Sequence, residues 1–176
     1  MTAPELGELL GAFVAADERE EADRCTMLRL LEELEHPLSR DESYGHFTAS
    51  AFVVEETGTR TCLVAHAKLG RLLQPGGHIE PTDLSAEAAA LREAREETGL
   101  EVEPHPTAPK PFDLDVHRIP DRPGEPSHWH LDVRFLLVGR GVPCSGAGWY
   151  PVGEASDGSV ARLAAKALRL GSPAPR

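Results

Sequence analysis

Three glutamates in the middle of the chain are spaced to act together. Glu93, Glu96 and Glu97 stand at i, i+3 and i+4 in the run SAEAAALREAREETGL, and at 100° per residue a helix gathers them into a sector of roughly 100°. Their charges repel, and they lie near the C-terminal end of that helix, where the macrodipole also disfavours anions. A hard divalent cation, which takes oxygen ligands, is the partner such a face calls for. Arg92 supplies part of the compensation, because it stands four residues before Glu96, spaced for a charge-assisted pair. Leu84, Ala90, Leu91 and Ala94 are expected on the opposite, apolar stripe, so the helix buries one side and presents an anionic one.

A second constellation is His128-Trp129-His130-Leu131-Asp132. Read as a strand, it turns His128, His130 and Asp132 to one face and Trp129, Leu131 and Val133 to the other. Two readings stand: this polar face lines a phosphate or metal site, where neutral imidazoles and a carboxylate also suit a transition metal, or it is the wet side of an edge strand. His78 and Glu80 follow a Gly-Gly turn and are candidates for the same site, as is Glu125 in the loop before the strand. His36, His46, His66, His105 and His117 are expected to be structural or solvent-exposed. Trp149 and Tyr150 are expected to pack in the core.

These residues need a scaffold. Residues 3–35 read as two helices or one bent helix, separated by the charged run DEREEAD and ended by His36-Pro37. Strands are expected at 46–54, 61–67, 71–74, 100–102, 112–119 and 128–138, with Gly-containing turns between them. An amphipathic helix is expected at 159–170, and SPAPR as a frayed tail. Strands and helices interleave, so the class is α/β or α+β with a mixed sheet.

At 176 residues the chain suits one domain with at most a small appendage. A net charge of −11 and a pI near 5.1 argue against a general binder of nucleic acid or anionic membrane. A small anionic substrate needs local help from metal ions or a few arginines. Cys25, Cys62 and Cys144 show no close pairing, consistent with a reducing cytoplasm and against a disulfide framework or zinc knuckle. The apolar run from Leu9 to Ala16 is short and follows Glu5 and Glu8, so it reads as neither secretory signal nor membrane span.

The stretch from Gly77 to Leu100 resembles the box of the Nudix hydrolase family, G-x5-E-x7-R-E-U-x-E-E-x-G-U with U aliphatic. Arg92-Glu93-Ala94-Arg95-Glu96-Glu97-Thr98-Gly99-Leu100 matches its second half, with Ala94 at the first U. The first half departs twice: Asp83 stands for the glutamate, and eight residues rather than seven separate it from Arg92. The flanks are similar too, from about His46 to Leu170, including Trp149 to Glu154 before the last helix.

The resemblance implies a Nudix-type α/β/α sandwich with a mixed sheet at 46–171; residues 1–45 lie outside it as an N-terminal helical extension, and 172–176 as a tail. It implies hydrolysis of a nucleoside diphosphate linked to another moiety, by water attack on phosphorus, with Mg2+ or Mn2+. Glu93, Glu96, Glu97 and the backbone of Gly77 become the metal ligands, and Glu96, Glu93 and Arg92 the catalytic set. His78, Glu80, His128, His130 and Asp132 become the substrate-binding set. No nucleic acid polymer or membrane is expected as partner, and residues 1–45 are free to serve as a dimer arm or a lid. Two alternatives share the fold: a non-catalytic diphosphate-binding or sensor domain, and an isoprenoid diphosphate isomerase, which needs a catalytic thiol.

Overall fold

A computed structural model describes residues 1–66, 70–122, 124, 126–155 and 158–170. Two N-terminal helices, α1 (Ala3–Ala12) and α2 (Glu18–Glu33), begin at side-chain caps. Thr2 and Glu5 form a reciprocal capping box on α1, and Asp17 accepts from the Glu20 amide on α2. The hairpin β1 (Gly45–Glu55) and β2 (Arg60–His66) follows, then the short strands β3 (Arg71–Leu73) and β4 (Gly76–His78). Helix α3 (Ala86–Thr98) is capped by Ser85, and Gly99 ends it in the left-handed conformation at φ 69° that glycine adopts without strain. Strands β5 (Glu101–Pro104), β6 (Asp113–Ile119), β7 (His128–Arg140) and β8 (Ala147–Pro151) precede a 3-10 turn and α4 (Gly158–Leu170).

The described strands form one eight-stranded mixed sheet. Its centre is the parallel pair β1–β7, in register from Gly45 opposite Trp129 to Glu55 opposite Gly139. Strand β4 adds to β1, β6 and β5 add to β7, and β8 adds to β2. The odd-numbered residues of β1, Phe47 to Val53, face Leu6, Leu10, Met27 and Leu30 of the N-terminal helices and Ala86, Ala90 and Ala94 of α3 in one core. Phe52 and Val54 face Val160, Leu163 and Ala167 of α4 in another. The helices therefore cover both faces, and the fold is an α/β/α sandwich with a mixed sheet. The N-terminal helices are part of the main core and do not project from it.

Two local expectations are corrected. Leu84 is 87% exposed and precedes the helix, because Ser85 takes the cap; Ala86 and Ala89 fill the buried stripe instead. Gly76-Gly77 is not a turn: both lie in β4, paired to Ser50 and Ala49 of β1, and neither has a positive φ. These glycines serve close approach. A Cβ at Gly76 would stand 2.7 Å from Ser50 Cα and 2.9 Å from the Ala49 carbonyl oxygen, neither of which can swing away. Gly76→Ala is thus expected to cost about 1–3 kcal/mol by overpacking, read as a lower urea midpoint. An unchanged midpoint would show that β4 can move off β1. The tail at 172–176 and Glu125 lie outside the described residues.

Candidate functional site

The carboxylates rest on β4. Glu97 accepts from the Gly76 amide at 3.0 Å. A Cβ at Gly77 would sit 2.6 Å from Glu93 Oε1, so only glycine leaves that carboxylate its place. Burial pushes the Glu93 carboxyl up against the pull of its Arg92 hydrogen bond. It does the same to Glu97 against the Gly76 amide. Glu96, with a side chain 60% exposed, reaches into solvent beside them.

Arg92 ties this group together. Its Nη1 donates to Glu93 Oε1 at 2.8 Å and to Glu96 Oε2 at 3.3 Å, and Glu80 lies 3.9 Å away. Its principal anchor is Asp83, which takes Nε at 3.1 Å and Nη2 at 2.9 Å in a two-pronged pair. Nη2 also donates to the His78 carbonyl at 2.9 Å. The buried Asp83 closes its own loop by accepting from the Glu80 amide at 2.8 Å. The extra residue before Arg92 is absorbed in this loop, and the shorter acid still reaches the guanidinium.

On the other side of the sheet, period-two alternation builds a polar face from three strands. Asp132 is buried and saturated: Thr48 Oγ1 donates at 3.1 Å, Ser50 Oγ at 2.7 Å and Arg134 Nε at 2.8 Å. Arg134, 1% exposed, also pairs with Asp115 at 2.6 Å and Asp113 at 3.4 Å. Arg162 binds Asp113 and Asp115 at 2.9 Å each, Arg19 reaches Asp115, and Lys166 reaches Glu20 and, at 3.5 Å, Asp113.

Burial alone would raise both Asp113 and Asp115. The Arg162 hydrogen bond to Asp113, the His117 hydrogen bond to Asp115 and the Arg134 charge outweigh it and hold both carboxyls below their usual range. A carboxylate with a depressed folded pKa adds stability above its unfolded value of about 3.9 and loses it as pH falls towards the folded value. Acid unfolding followed by circular dichroism is therefore expected to set in below about pH 4, with a shallower pH slope in Asp115→Asn. Equal slopes for variant and parent would exclude this network as the cause.

The histidines gather at one end of the same face. His46 on β1 stands opposite His130 on β7, and His130 in turn opposite His117 on β6; Thr48 is opposite His78 on β4. His128 is buried and its Nδ1 lies 2.9 Å from the Pro126 carbonyl. The sequence reading of the single strand found His128 and His130 but missed His46 and His117. The available signal was polar alternation repeated in β1 (His46, Thr48, Ser50) and β6 (Asp113, Asp115, His117).

A cleft of about 870 Å³ opens over this face, lined by His78, His130, Asp132 and, at its rim, Arg71, Arg118 and Arg122. That volume suits a nucleotide-sized ligand. A smaller cavity of about 370 Å³ lined by Glu97, Gly76 and Arg122 adjoins it through shared residues. Trp149 and Tyr150 pack against the two cores, as expected, and not into the cleft. The Cys62 thiol is buried and pushed up to about 11 by that burial. Cys144 donates to the Glu97 carbonyl at 3.3 Å. Among the described residues, no helix is long and apolar enough to cross a membrane.

The NUDIX domain family matches residues 44–170. No curated protein sequence matches. Among solved structures, a hydrolase of the NUDIX family from Clostridium perfringens is 24% identical, with a TM-score of 0.57 over 71% of this chain and 97% of that one. The Ap4A hydrolase of C. elegans is 13% identical, with a TM-score of 0.51 over 70% and 96%. The NUDIX domain of Shewanella oneidensis NrtR complexed with ADP ribose is 19% identical, with a TM-score of 0.51 over 70% and 86%. These likenesses concern the fold.

Proposed function

Because the chain belongs to the NUDIX domain family, we propose that it is a hydrolase of phosphoanhydride bonds that cleaves a nucleoside diphosphate linked to a further moiety, using water and a divalent metal ion. The observation that carries this reading is the carboxylate pair Glu93 and Glu97 seated on Gly76-Gly77, beside a cleft rimmed by three arginines in an otherwise anionic protein. The donor set fits a hard ion: every candidate ligand is oxygen, and the space in which a Cβ at position 77 would stand is given to a carboxylate. We assign Mg2+ or Mn2+, held by Glu93, Glu96, Glu97 and the Gly77 carbonyl. Bound there, the ion supplies positive charge to the phosphate oxygens and acidifies the attacking water.

The chain's own groups do the rest. Glu96, exposed and held by Arg92, takes the proton of that water on its carboxylate. Arg92 acts as a positioning residue, fixed by Asp83 and fixing Glu93 and Glu96 in turn. Arg71, Arg118 and Arg122 offer charge to a phosphate, and His78, His130 and Asp132 form the cleft wall against it. His128 and Glu80 do not line the cleft; the first backs His130 and the second stands in the loop beside Arg92, so they act on the substrate only through those neighbours. Among the described residues no cysteine lines the cleft, and the Cys144 thiol donates to the Glu97 carbonyl, which supports hydrolysis over the isomerase reading. All three cysteines are free, which supports work in a reducing cytoplasm.

The test is a panel of ADP-ribose, dinucleoside polyphosphates, nucleotide sugars, CDP-alcohols, CoA and oxidised nucleoside triphosphates, each with Mg2+, with Mn2+ and with chelator. Metal-dependent release of a nucleoside monophosphate or phosphate from one class supports the reading. Tight binding of a diphosphate without product under either metal would replace it with the sensor reading.

A further inference from the structure

We infer that His46, His78 and His130 form a second metal site, one for a transition ion of the Zn2+ class, separate from the carboxylates and open towards the cleft. One nitrogen from each ring lies within 4.8 Å of the others. The three rings come from three hydrogen-bonded strands, β1, β4 and β7, so the backbone holds them together without any loop.

The decisive observation is His46. It is 2% exposed, and neither Nδ1 nor Nε2 has a hydrogen-bond partner. The Glu42 backbone favours the charged ring slightly, but no protein atom stands at hydrogen-bonding geometry. Buried ring nitrogens are normally paired, because leaving them so forfeits their hydration without return. Three further imidazoles surround His46, with centroids of His78, His130 and His128 at 4.9, 5.0 and 5.1 Å, and the Arg40 charge acts on it from further off. Protonated imidazoles would repel at this range. Burial and the neighbouring rings lower His46 to about 4 and push His130 down as well.

A supporting hydrogen bond sets the tautomer. His128 Nδ1 faces the Pro126 carbonyl at 2.9 Å and must carry the proton there. Its Nε2 lies 3.2 Å from His130 Nε2, so the two rings are held edge to edge by a hydrogen bond between them. A hydrogen bond from a neighbouring side chain is the kind of support by which metal-binding histidines are oriented.

Three neutral imidazoles select a borderline ion such as Zn2+, Co2+ or Ni2+ over Mg2+. Ligand nitrogens about 3.4 Å apart are needed for four-coordinate bonds of about 2.1 Å, so the rings close in on binding. His78 and His130 line the cleft while His46 lies behind them, which leaves the fourth position facing the substrate space. Water or a phosphate oxygen is the ligand that position takes. Strand alternation keeps this site apart from the carboxylates: Gly77 abuts Glu93 on the α3 side, and the next residue, His78, turns to the opposite face.

The test uses the full chain, freed of metal by chelator and titrated with Co2+. The expected result is one equivalent with visible d–d bands, bleached by Zn2+ and unaffected by excess Mg2+. His130→Gln and His78→Gln should each weaken Co2+ binding roughly 100-fold or more. The double variant Glu93→Gln/Glu97→Gln should leave it within about threefold, since one and a half decades or more would mark a lost ligand. Zn2+ should raise the melting temperature of the parent but not of His78→Gln, a partly exposed site whose variant keeps the fold even if a change at buried His46 does not. Unchanged Co2+ affinity in both histidine variants, loss of the bands in the glutamate pair, or no bands at all from folded protein would each overturn the site.

Discussion

Glu97→Gln is expected to lower metal-dependent kcat/KM by on the order of a thousandfold while leaving the fold at least as stable as the parent's. The size follows from the role: a carboxylate that helps hold a catalytic ion accounts for several kcal/mol of transition-state stabilisation, and about 4 kcal/mol is a thousandfold in rate. The fold survives because glutamine has the same shape and its carbonyl oxygen can accept from the Gly76 amide, which the parent carboxylate takes at 3.0 Å. The parent carboxylate sits in a costly place, since burial raises its pKa and Glu93 and Glu96 repel it. A neutral amide removes both costs. Steady-state kinetics on the substrate found in the panel, beside a thermal melt, separates the two effects. Activity within tenfold of the parent would remove Glu97 from the proposed metal site; a collapsed melt would make its role structural.

Arg134→Met is expected to destabilise the protein by about 3–5 kcal/mol, the cost of breaking a buried ion pair by removing one partner. Arg134 is 1% exposed and is the shared cation of Asp132, Asp115 and Asp113, at 2.8, 2.6 and 3.4 Å. Methionine fills most of the volume but leaves three buried carboxylates short of one charge. Arg162 still holds Asp113 and Asp115, so the deficit falls hardest on Asp132, which keeps only the hydroxyls of Thr48 and Ser50. For a chain of this size the melting temperature should fall by roughly 6–20 °C. Arg134→Lys should fall between parent and Met, because an ammonium keeps the charge but cannot reach three partners from one planar fork. A loss under about 1 kcal/mol in Arg134→Met would mean that the surrounding arginines already neutralise the cluster.

The residues in these two predictions were legible to different degrees. Glu93, Glu96 and Glu97 share a face because helical periodicity is a local property, so their spacing alone places them. The hold of Arg92 on Asp83 was half legible: the spacing departed from the expected box, and nothing in the string said that a loop closed by the Glu80 amide would restore the contact. Gly76-Gly77 was misread as a turn because glycine pairs suit turns in isolation. Its use here is close approach to Ser50 and Glu93, which only the packed sheet creates.

The histidine and arginine face shows the same division. Alternation in 128–134 says which side chains share one side of a strand, and that much belongs to the sequence. It does not say that β1 lies parallel to β7 with His46 opposite His130, or that β6 brings Asp113 and Asp115 to Arg134. Strand register between distant segments is chosen by burying the apolar residues of every strand at once, a property of the assembled core. By itself the sequence determined the carboxylate helix, the α/β class and the family box. Only the tertiary structure decided which cations face those carboxylates, that Gly76 leaves no room for a Cβ against β1 and Gly77 none without moving Glu93, and that five scattered histidines meet on one face of the sheet.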